Sequence, residues 1–408
     1  MKLKINQLFI GNYSAEQLVA QFGSPLYVYD EEVIRNQIRK LKNAFVYPGV
    51  KFYYACKANT NLAILKIVLE EGCFLDAVSL GEVYAALKAG FSADKIRFTG
   101  VNVSNEEFSW LIEKKIAVNL GSLSEVERYG KLNPGKKISV RINTNVGAGH
   151  HSHVITGGES SKFGIYFLEI AQLFSVCKKY DLKIVGIHHH IGSGILDYKI
   201  FLHAMDILLE IADQFFDLEF IDFGGGFGIP YQKNQKELNI SFLGKKIVKK
   251  FNSFCNSYGK KLSFHFEPGR YFVAQSGSLL CTVNTIKKTP KYTFVGVNTG
   301  FNHLIRPAMY GSFHEVVNCS NPQGKLNKYL VAGNICESGD IFTRDENGIK
   351  EQGIAELHEG DVLAILNSGA YGMSMASHYN LQQLPVEVLI QGKDVRIIRK
   401  REEFSDFI

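Results

Sequence analysis

A lysine ends an apolar stretch near the start of the chain, in the sequence FYYACKANTNL of residues 52–62. The aromatic and small residues before Lys57 predict a buried strand, and Asn59 to Asn61 after it are residues that form turns or cap helices. Because an isolated ammonium group is costly to bury, Lys57 should be paired with a carboxylate, shifted toward its neutral form or used in chemistry. This stretch alone leaves a reactive lysine and an ion-paired lysine equally open.

A glycine-rich loop follows another apolar stretch, in the sequence FIDFGGGFGIP of residues 220–230. Without a Cβ atom, Gly225 and Gly226 let backbone N–H groups approach an anion closely, which predicts a phosphate-binding nest. The spacing GxGxG is not the dinucleotide-binding pattern GxGxxG, because Ile229 stands at the position of its last glycine. A tight turn without a ligand is the alternative.

Three consecutive histidines occur in the sequence GIHHHIGSG of residues 186–194. In a strand, His188 and His190 would lie on one face and could share a metal, but no third ligand or carboxylate stands nearby. A flat imidazole stacked on a flat cofactor ring is the interpretation we rank first. A packed core histidine ranks second and a metal site third, and we expect no metal. A further histidine-containing stretch, GAGHHSH of residues 147–153, is interpreted as a loop.

Eight short apolar stretches alternate with helical patterns and must position these residues. The helical patterns end at glycines such as Gly72 and Gly90, and the strands are apolar on both faces, as parallel strands covered by helices are. This arrangement predicts an α/β fold, a (β/α)₈ TIM barrel, with a doubly wound open sheet as the alternative. The predicted strands are 50–56, 74–78, 95–99, 116–120, 137–142, 183–190, 218–223 and 261–266.

Polar residues follow several predicted strands at the same end. In a barrel of this kind the active site lies at the C-terminal ends of the strands, so these side chains should converge. The convergence is the strongest functional inference from the residues themselves. The strand-end residues are Lys57, Asp76, Ser79, Arg141, Asn143, His190, Ser193, Gly224–Gly226, Glu267 and Arg270.

The sequence changes character after the stretch EPGRYFVAQSG, where short β-rich runs replace the alternating pattern. Turn residues separate these runs, which predicts a second, C-terminal all-β domain of the sandwich or barrel type. We therefore assign residues 26–275 to the barrel and 276–408 to the β domain, which residues 1–25 should join.

Composition excludes several classes of protein. The chain has 408 residues and a net charge of +6, and the basic residues are spread out rather than gathered in the stripe expected of nucleic-acid binding. Neither a signal peptide nor a membrane span is apparent. Seven scattered cysteines without a CxxC pair indicate reduced thiols, so we predict a cytoplasmic protein.

The strand-end lysine, the phosphate nest, the stacking histidine and Glu267 together fit one cofactor, pyridoxal 5'-phosphate. Its aldehyde forms a Schiff base with a lysine, and its pyridine nitrogen needs a partner that fixes its protonation. A carboxylate such as Glu267 would keep that nitrogen protonated and make the ring a stronger electron acceptor.

From about residue 25 onward, the chain resembles the diaminopimelate decarboxylases, which are fold type III pyridoxal phosphate enzymes. The EPGR motif is shared with ornithine and arginine decarboxylases of the same fold type, whereas CESGD and IRPAMY are more specific. The resemblance rests on YYACKANTNL, FLDAVSLGE, KIRFTG, SKFGI, HHIGSG, DFGGGFGIPY, EPGRYFV, NHLIRPAMYG, ICESGD and GAYGMSMASHYN.

This resemblance implies decarboxylation of meso-2,6-diaminopimelate to L-lysine, with Lys57 bound covalently to the cofactor. It further implies a homodimer in which Cys336, as proton donor, and Glu337, as partner of the distal ammonium, come from the other chain. The remaining cofactor residues would be His190, Ser193, Gly225, Gly226, Glu267, Gly269, Arg270 and Tyr371. The substrate-binding residues would be Arg270, Arg306, Tyr310, Glu337 and Tyr371.

The chemistry of the substrate agrees with these residues. A distal carboxylate needs cations with forked donors, which Arg270 and Arg306 supply, and ornithine has no such group. The alternatives are a decarboxylase of the same fold acting on ornithine, arginine or carboxynorspermidine, and a pyridoxal phosphate carrier without catalysis.

Three segments depart from the motifs of the family. The common VDAGxND reads VNTGFNH here, which places Asn298, Thr299 and His303 at altered positions. Leu381–Gln383 replaces the usual Ser-Arg-Pro after YN, and Asn334 stands where proline is common. None of these changes removes a predicted catalytic group, but the first two bear on specificity.

Overall fold

A computed structural model describes residues 2–4, 7–147 and 158–407 of the chain. The chain forms two compact units, one of residues 37–229 and 236–271 and the other of residues 1–36, 230–235 and 272–408. Of the predicted loop 147–153, only Gly147 lies within the described residues.

The first unit is a closed barrel of eight parallel strands, β1 to β8. Closure is shown by the pairing of β8 with β1, in which Phe264 lies opposite Val50. The predicted TIM barrel is thus confirmed, and the open sheet is wrong. The strands β1–β8 are Val50–Ala55, Phe74–Ala77, Ile96–Phe98, Ala117–Leu120, Lys137–Asn143, Lys183–His188, Phe220–Asp222 and Ser263–Phe266.

Helices follow the strands and begin and end at recognisable signals. The Ser79 side chain accepts a hydrogen bond from the backbone N–H of Glu82 at the start of one helix, and Gly90, with φ of 105°, ends it in the left-handed region. A short strand, Ile165–Tyr166, pairs with β5 outside the barrel. The helices are Glu31–Ala44, Leu62–Glu70, Leu80–Ala89, Asn105–Glu113, Leu123–Leu132, Ile170–Lys179, Tyr198–Ala212, Ile240–Tyr258 and Arg270–Val273.

A buried ion pair crosses the inside of the barrel. Arg97 on β3 lies 2.5 Å from a carboxylate oxygen of Asp222 on β7. The guanidinium carbon also lies 4.1 Å from the ring centre of Tyr53 and 4.4 Å from that of Phe220. Charge pairing and ring contacts compensate for burying this guanidinium, and they link three strands.

The second unit is built on a nine-stranded sheet. Its main path runs through Gln352–Ala355, Leu326–Ala332, Thr293–Val297, Gly277–Lys288, Leu26–Asp30, Val386–Gln391 and Asp394–Arg399. Val362–Ile365 joins it at Gly277–Lys288 and carries Val316–Asn318. Smaller elements are the strands Lys2–Lys4, Gln7–Ile10, Tyr13–Ser14, Arg344–Asp345 and Gly348–Ile349, and the helices Ala15–Phe22 and Arg306–Tyr310.

The strand Leu26–Asp30 belongs to this second sheet. It pairs with Gly277–Lys288 and with Val386–Gln391, and its Val28 shares a buried core with Leu18 of the N-terminal helix. The division into domains at residues 26, 275 and 276 stays a prediction, but this strand lies outside the barrel because its backbone groups pair with the β-rich part of the chain.

Within the described residues, no helix combines the length and the apolar character that crossing a membrane would require.

Candidate active site

Lys57 stands directly after β1, in a single helical turn of residues 56–58. Its neighbours Cys56 and Ala58 are buried, whereas Lys57 is exposed. The turn is held by the Tyr54 hydroxyl, which donates to the Asn59 carbonyl at 3.1 Å. The buried strand is as predicted, but the lysine at its end is accessible, so it carries no cost of burial.

The loop after β8 packs tightly against the loop of Lys57. The Ala55 N–H donates to the Pro268 carbonyl at 3.1 Å. A Cβ atom on Gly269 would lie 3.1 Å from the Cβ atoms of both Ala55 and Ala58, which is closer than side-chain carbons normally approach. Glycine at 269 therefore lets the loops carrying Lys57 and Glu267 lie side by side without a shift of Ala55 or Ala58.

Glu267 is a buried carboxylate with one oxygen left open. Its Oε2 lies 3.2 Å from Nε2 of His188, and no described residue donates a hydrogen bond to its Oε1. Burial raises the pKa of Glu267, and the positive charges of Lys57 and Arg97 oppose that rise. An unpartnered carboxylate oxygen at a barrel mouth can accept a hydrogen bond from a ligand.

The hydrogen bond to Glu267 fixes the tautomer of His188. Burial lowers the pKa of His188 to about 3, so its ring is neutral. The Asn119 amide nitrogen lies 2.9 Å from its Nδ1, so Nδ1 accepts and Nε2 carries the proton. Asn119 on β4, His188 on β6 and Glu267 after β8 therefore form a directed chain of hydrogen bonds.

His190 lies two residues beyond the end of β6 and contacts the glycine loop. The Gly225 N–H donates to Nδ1 of His190 at 3.0 Å, which leaves the proton on Nε2. Burial and the charges of Lys57 and Arg141 hold the pKa of His190 well below its usual value. The site thus presents a neutral imidazole, and the Gly225 N–H is directed to that ring.

The glycine loop owes its shape to close approach and to left-handed backbone. A Cβ atom on Gly225 would lie 2.3 Å from the Glu267 carbonyl oxygen. Gly226 has φ of 102°, and its carbonyl accepts from the N–H of Ile195 at 2.9 Å. These constraints keep the loop against both His190 and Glu267.

Arg270 and Ser193 complete this end of the barrel. Arg270 is buried, and its Nη2 donates to the Ser193 hydroxyl at 3.0 Å. A guanidinium and a hydroxyl held together offer several donors to an anion. The residues from Lys57 to Arg270 predicted for the cofactor all belong to the barrel unit.

Two further carboxyl groups lie near the charge of Lys57. Burial raises the pKa of Asp76 to about 6 and that of Glu82 to about 7, while Lys57 lowers both. Asp76, at 2 % exposure, is the more fully desolvated carboxyl, and ionising it costs folding free energy.

Replacing Asp76 with asparagine is expected to stabilise the cofactor-free protein at pH 8 by about 1–3 kcal/mol. The pKa of this carboxyl rises from 3.8 to about 6 on folding. It therefore destabilises the folded state only at pH values at which the same carboxyl is ionised in the unfolded chain. The advantage of the variant should therefore be absent below pH 4, grow between pH 4 and pH 6, and stay constant above. Urea unfolding at several pH values measures it, with the exposed Asp94→Asn as control. An equal effect at pH 4 and pH 8 would contradict this account.

Arg306, predicted to bind substrate, is fully buried in the second unit. Its guanidinium donates to the Tyr231 hydroxyl at 3.0 Å and to the Ser312 hydroxyl at 3.2 Å. It also lies 3.0 Å from Nε2 of His314, whose Nδ1 is 2.7 Å from the Leu366 carbonyl oxygen. The Nδ1 of His314 must donate to that carbonyl, so its Nε2 is free to accept from Arg306.

The other predicted residues of this unit lie at the surface or partly buried. Cys336 and Glu337 are exposed, and Tyr310 ends the helix Arg306–Tyr310. Tyr371 has φ of 57°, an uncommon backbone conformation for a tyrosine. The predicted site residues therefore divide between the two units.

The residues of the barrel unit fit pyridoxal phosphate. The open Oε1 of Glu267 suits a ring nitrogen that carries a proton, and Lys57 supplies an accessible amine. Arg270 with Ser193, beside the loop of Gly226, suits the phosphate group.

A metal is a poorer match for the same groups. The ligand atoms of His188, Asp222 and Glu267 lie within 4.8 Å of one another. However, the Arg97 guanidinium already pairs with Asp222, and Nε2 of His188 carries the proton shared with Glu267. The positive charge that a cation would bring is supplied by the protein itself.

Sequence reasoning missed the contacts behind the site. Asn119 was not singled out, and His188 was considered only as a possible metal ligand. The alternation of side chains along β4 and β6 shows which residues face inward, but not that these two would meet.

The chain is similar along its length to known pyridoxal-dependent decarboxylases. Residues 31–274 match the family model described as pyridoxal-dependent decarboxylase, pyridoxal binding domain. The chain is 45 % identical over 411 residues to a diaminopimelate decarboxylase of Methanothermobacter thermautotrophicus, covering 98 % of this chain and 94 % of that one.

Solved structures give the same result. A diaminopimelate decarboxylase from M. jannaschii in complex with L-lysine is 34 % identical, with a TM-score of 0.90 over 99 % of this chain and 96 % of that one. The enzyme from Helicobacter pylori, also complexed with L-lysine, is 34 % identical, with a TM-score of 0.87 over 96 % and 97 %.

Proposed function

The chain belongs to the diaminopimelate decarboxylase family of pyridoxal-dependent decarboxylases, and we propose that it converts meso-2,6-diaminopimelate to L-lysine and CO₂. This reaction is the last step of lysine biosynthesis. The observation that carries the proposal is similarity along nearly the whole chain to enzymes of that name, two of them solved with L-lysine bound.

The barrel unit holds the cofactor. Lys57 would attach it covalently, His190 would pack against its ring, and Glu267 would accept a hydrogen bond from its ring nitrogen. Pyridoxal phosphate, when bound, supplies an aldehyde for the substrate amine and a ring that accepts the electron pair left by departing CO₂. In the same unit, the phosphate and the remaining edges would be held by Ser193, Gly225, Gly226, Gly269 and Arg270, and Tyr371 of the second unit would also contact the cofactor.

The open oxygen of Glu267 explains how the protein supports electron withdrawal. A carboxylate facing the ring nitrogen favours the protonated, positively charged ring. The neutral His188 donates to the other oxygen and holds the carboxylate in place without neutralising it. The neighbouring Arg97 and Arg141 favour the ionised form of Glu267.

The substrate carries an amino acid group at each end, and its distal end is recognised by charge. Arg306 and Arg270 offer forked donors to the distal carboxylate, with Tyr310 and Tyr371 beside them, and Glu337 pairs with the distal ammonium. Tyr231, Ser312 and His314 accept hydrogen bonds from the Arg306 guanidinium and keep that side chain in one orientation.

After CO₂ leaves, the α-carbon must receive a proton. Cys336 is the one exposed cysteine among the described residues, and the other six are buried. Its accessible thiol can therefore deliver a proton, directly or through a water molecule that it orders. Burial also raises the pKa of five of those buried thiols, which makes them poor proton donors: Cys56, Cys73, Cys177, Cys281 and Cys319.

The working enzyme is a cytoplasmic homodimer in this proposal. Cys336 and Glu337 are contributed across the dimer interface, so each active site needs two chains. Their exposure within one chain supports this arrangement, because groups that serve a partner's site must lie at the surface of their own chain.

Release of CO₂ from meso-diaminopimelate, ornithine, arginine and carboxynorspermidine, measured side by side, tests the function. We expect kcat/KM for meso-diaminopimelate to exceed the others by at least ~100-fold, because a site built to bind a distal carboxylate rejects analogues that lack it. Preference for ornithine or arginine would assign the chain to another decarboxylase of this fold. Turnover of none of them, with pyridoxal phosphate bound, would indicate a carrier.

A further inference from the structure

Two buried residues that depart from the family motifs, Thr299 and His303, form a hydrogen-bonded group with the backbone carbonyl of Gln383. The Thr299 hydroxyl lies 2.9 Å from Nδ1 of His303, and Nε2 of His303 lies 3.0 Å from the Gln383 carbonyl oxygen. A carbonyl only accepts, so Nε2 carries the proton and Nδ1 accepts from Thr299. Thr299 and His303 are 0 % and 2 % exposed, so the group has a single arrangement that satisfies it.

The segment 377–383 is tied to the same strand end at two further points. The Ser377 N–H donates to the Asn302 carbonyl at 2.8 Å. The rings of Phe301 and Tyr379 stack, with centres 5.8 Å apart. The segment 377–383 is therefore held along its length, and Thr299 and His303 anchor its C-terminal end at Gln383.

This segment in turn holds the loop of the proposed proton donor. The Cys336 N–H donates to Oδ1 of Asn380 at 2.8 Å, and the Tyr379 hydroxyl lies 3.4 Å from Oε2 of Glu337. Asn380 and Leu381 have φ of 57° and 54°. Two successive left-handed residues persist only where their surroundings enforce that conformation.

We propose that Thr299 and His303 are positioning residues for Cys336 and Glu337, acting through the segment 377–383. The inference rests on the proposed function for what those two groups do, but the mechanical link is a separate claim. Thr299 and His303 are then one matched pair, which holds the backbone carbonyl of Gln383 and through it keeps the Cys336 loop in place.

Hydrogen exchange at the Cys336 amide, resolved to the residue, tests the first link. Asn380→Gly keeps the left-handed backbone but removes the acceptor, whereas Asn380→Asp keeps both. We expect the glycine variant to exchange this amide roughly three- to tenfold faster, the factor that one net hydrogen bond carries. The aspartate variant should exchange at the wild-type rate.

A second pair of variants tests the anchor. His303→Leu removes the donor to Gln383 and should also speed exchange at Cys336, whereas His303→Gln keeps an Nε2 donor and should restore most of the protection. With meso-diaminopimelate, kcat should fall roughly three- to tenfold in the leucine variant and recover in the glutamine variant. His358→Leu, at an exposed histidine of the same unit, is the matched control. If His303→Leu does not fold, Thr299→Val removes the donor to Nδ1 in its place.

Unchanged exchange at the Cys336 amide in folded Asn380→Gly and His303→Leu would overturn the positioning role. The exchange measurement uses no substrate, so it decides the mechanical link whatever reaction the protein catalyses. Failure of the proposed function would show instead as no CO₂ release by the wild-type protein.

Discussion

Replacing Lys57 with alanine is expected to lower kcat for CO₂ release by on the order of 10³- to 10⁵-fold. Lys57 stands in the accessible turn after β1 and provides the amine for covalent attachment. Without Lys57, the cofactor is held only by noncovalent contacts. It then lacks the covalent bond to the protein that the substrate amine normally replaces. Steady-state CO₂ release measures the loss, and the absorbance of the purified protein should lose the band of the bound cofactor.

Borohydride reduction gives an independent reading of the same prediction. Reduction should fix the cofactor to the wild-type peptide that contains Lys57 and to no peptide of the alanine variant. Lys51→Ala is the matched control, because Lys51 lies on the same strand near its opposite end. A label on a different lysine, or full activity of Lys57→Ala, would contradict the account.

The barrel could be predicted because its signals are local. Each strand is a short run that is apolar on both faces, and glycines such as Gly72 and Gly90 mark the helix ends. The C-terminal ends of parallel strands lie at one edge of the barrel, so the sequence alone predicts that Lys57, His190 and Glu267 lie near each other.

The strand Leu26–Asp30 shows that local sequence does not predict which sheet a strand joins. Its sequence LYVYD predicts a strand but does not say which sheet it joins. It pairs with Gly277–Lys288 and Val386–Gln391, both hundreds of residues away. Pairing over such distances depends on the whole fold, since an apolar strand fits many partners.

The hydrogen bonds that support the site residues could not be predicted from the sequence either. His188 meets Asn119 and Glu267 only because β4, β6 and β8 face the same interior. In the sequence, Thr299 and His303 are departures from a family motif, and only the structure shows that they contact each other and the Gln383 carbonyl.

Replacing Glu267 with glutamine is expected to lower kcat by on the order of 10²- to 10³-fold, comparable to removing one preorganised electrostatic group from an active site. The amide keeps the size of the side chain but loses the negative charge that favours a protonated ring nitrogen. Pyridoxal phosphate should still bind through Lys57, so the loss should fall on kcat rather than on cofactor content. Glu219→Gln, at an exposed glutamate just before β7, is the control.

A variant of His188 tests whether activity depends on the charge of Glu267, because it leaves the carboxyl group in the protein and changes only how readily that group ionises. His188→Leu removes the donor to Oε2, so the carboxylate loses a hydrogen bond that favours its ionised form and its pKa should rise. Activity requires the ionised form, so the acid limb of the kcat profile should move to higher pH, with a loss of about tenfold at neutral pH. Glu267→Gln has no carboxyl to titrate, and its profile should lose that limb. If His188→Leu lowered kcat equally at every pH, the role of the histidine would be packing. It would then not be stabilising the ionised form of Glu267, which favours a protonated, electron-accepting ring.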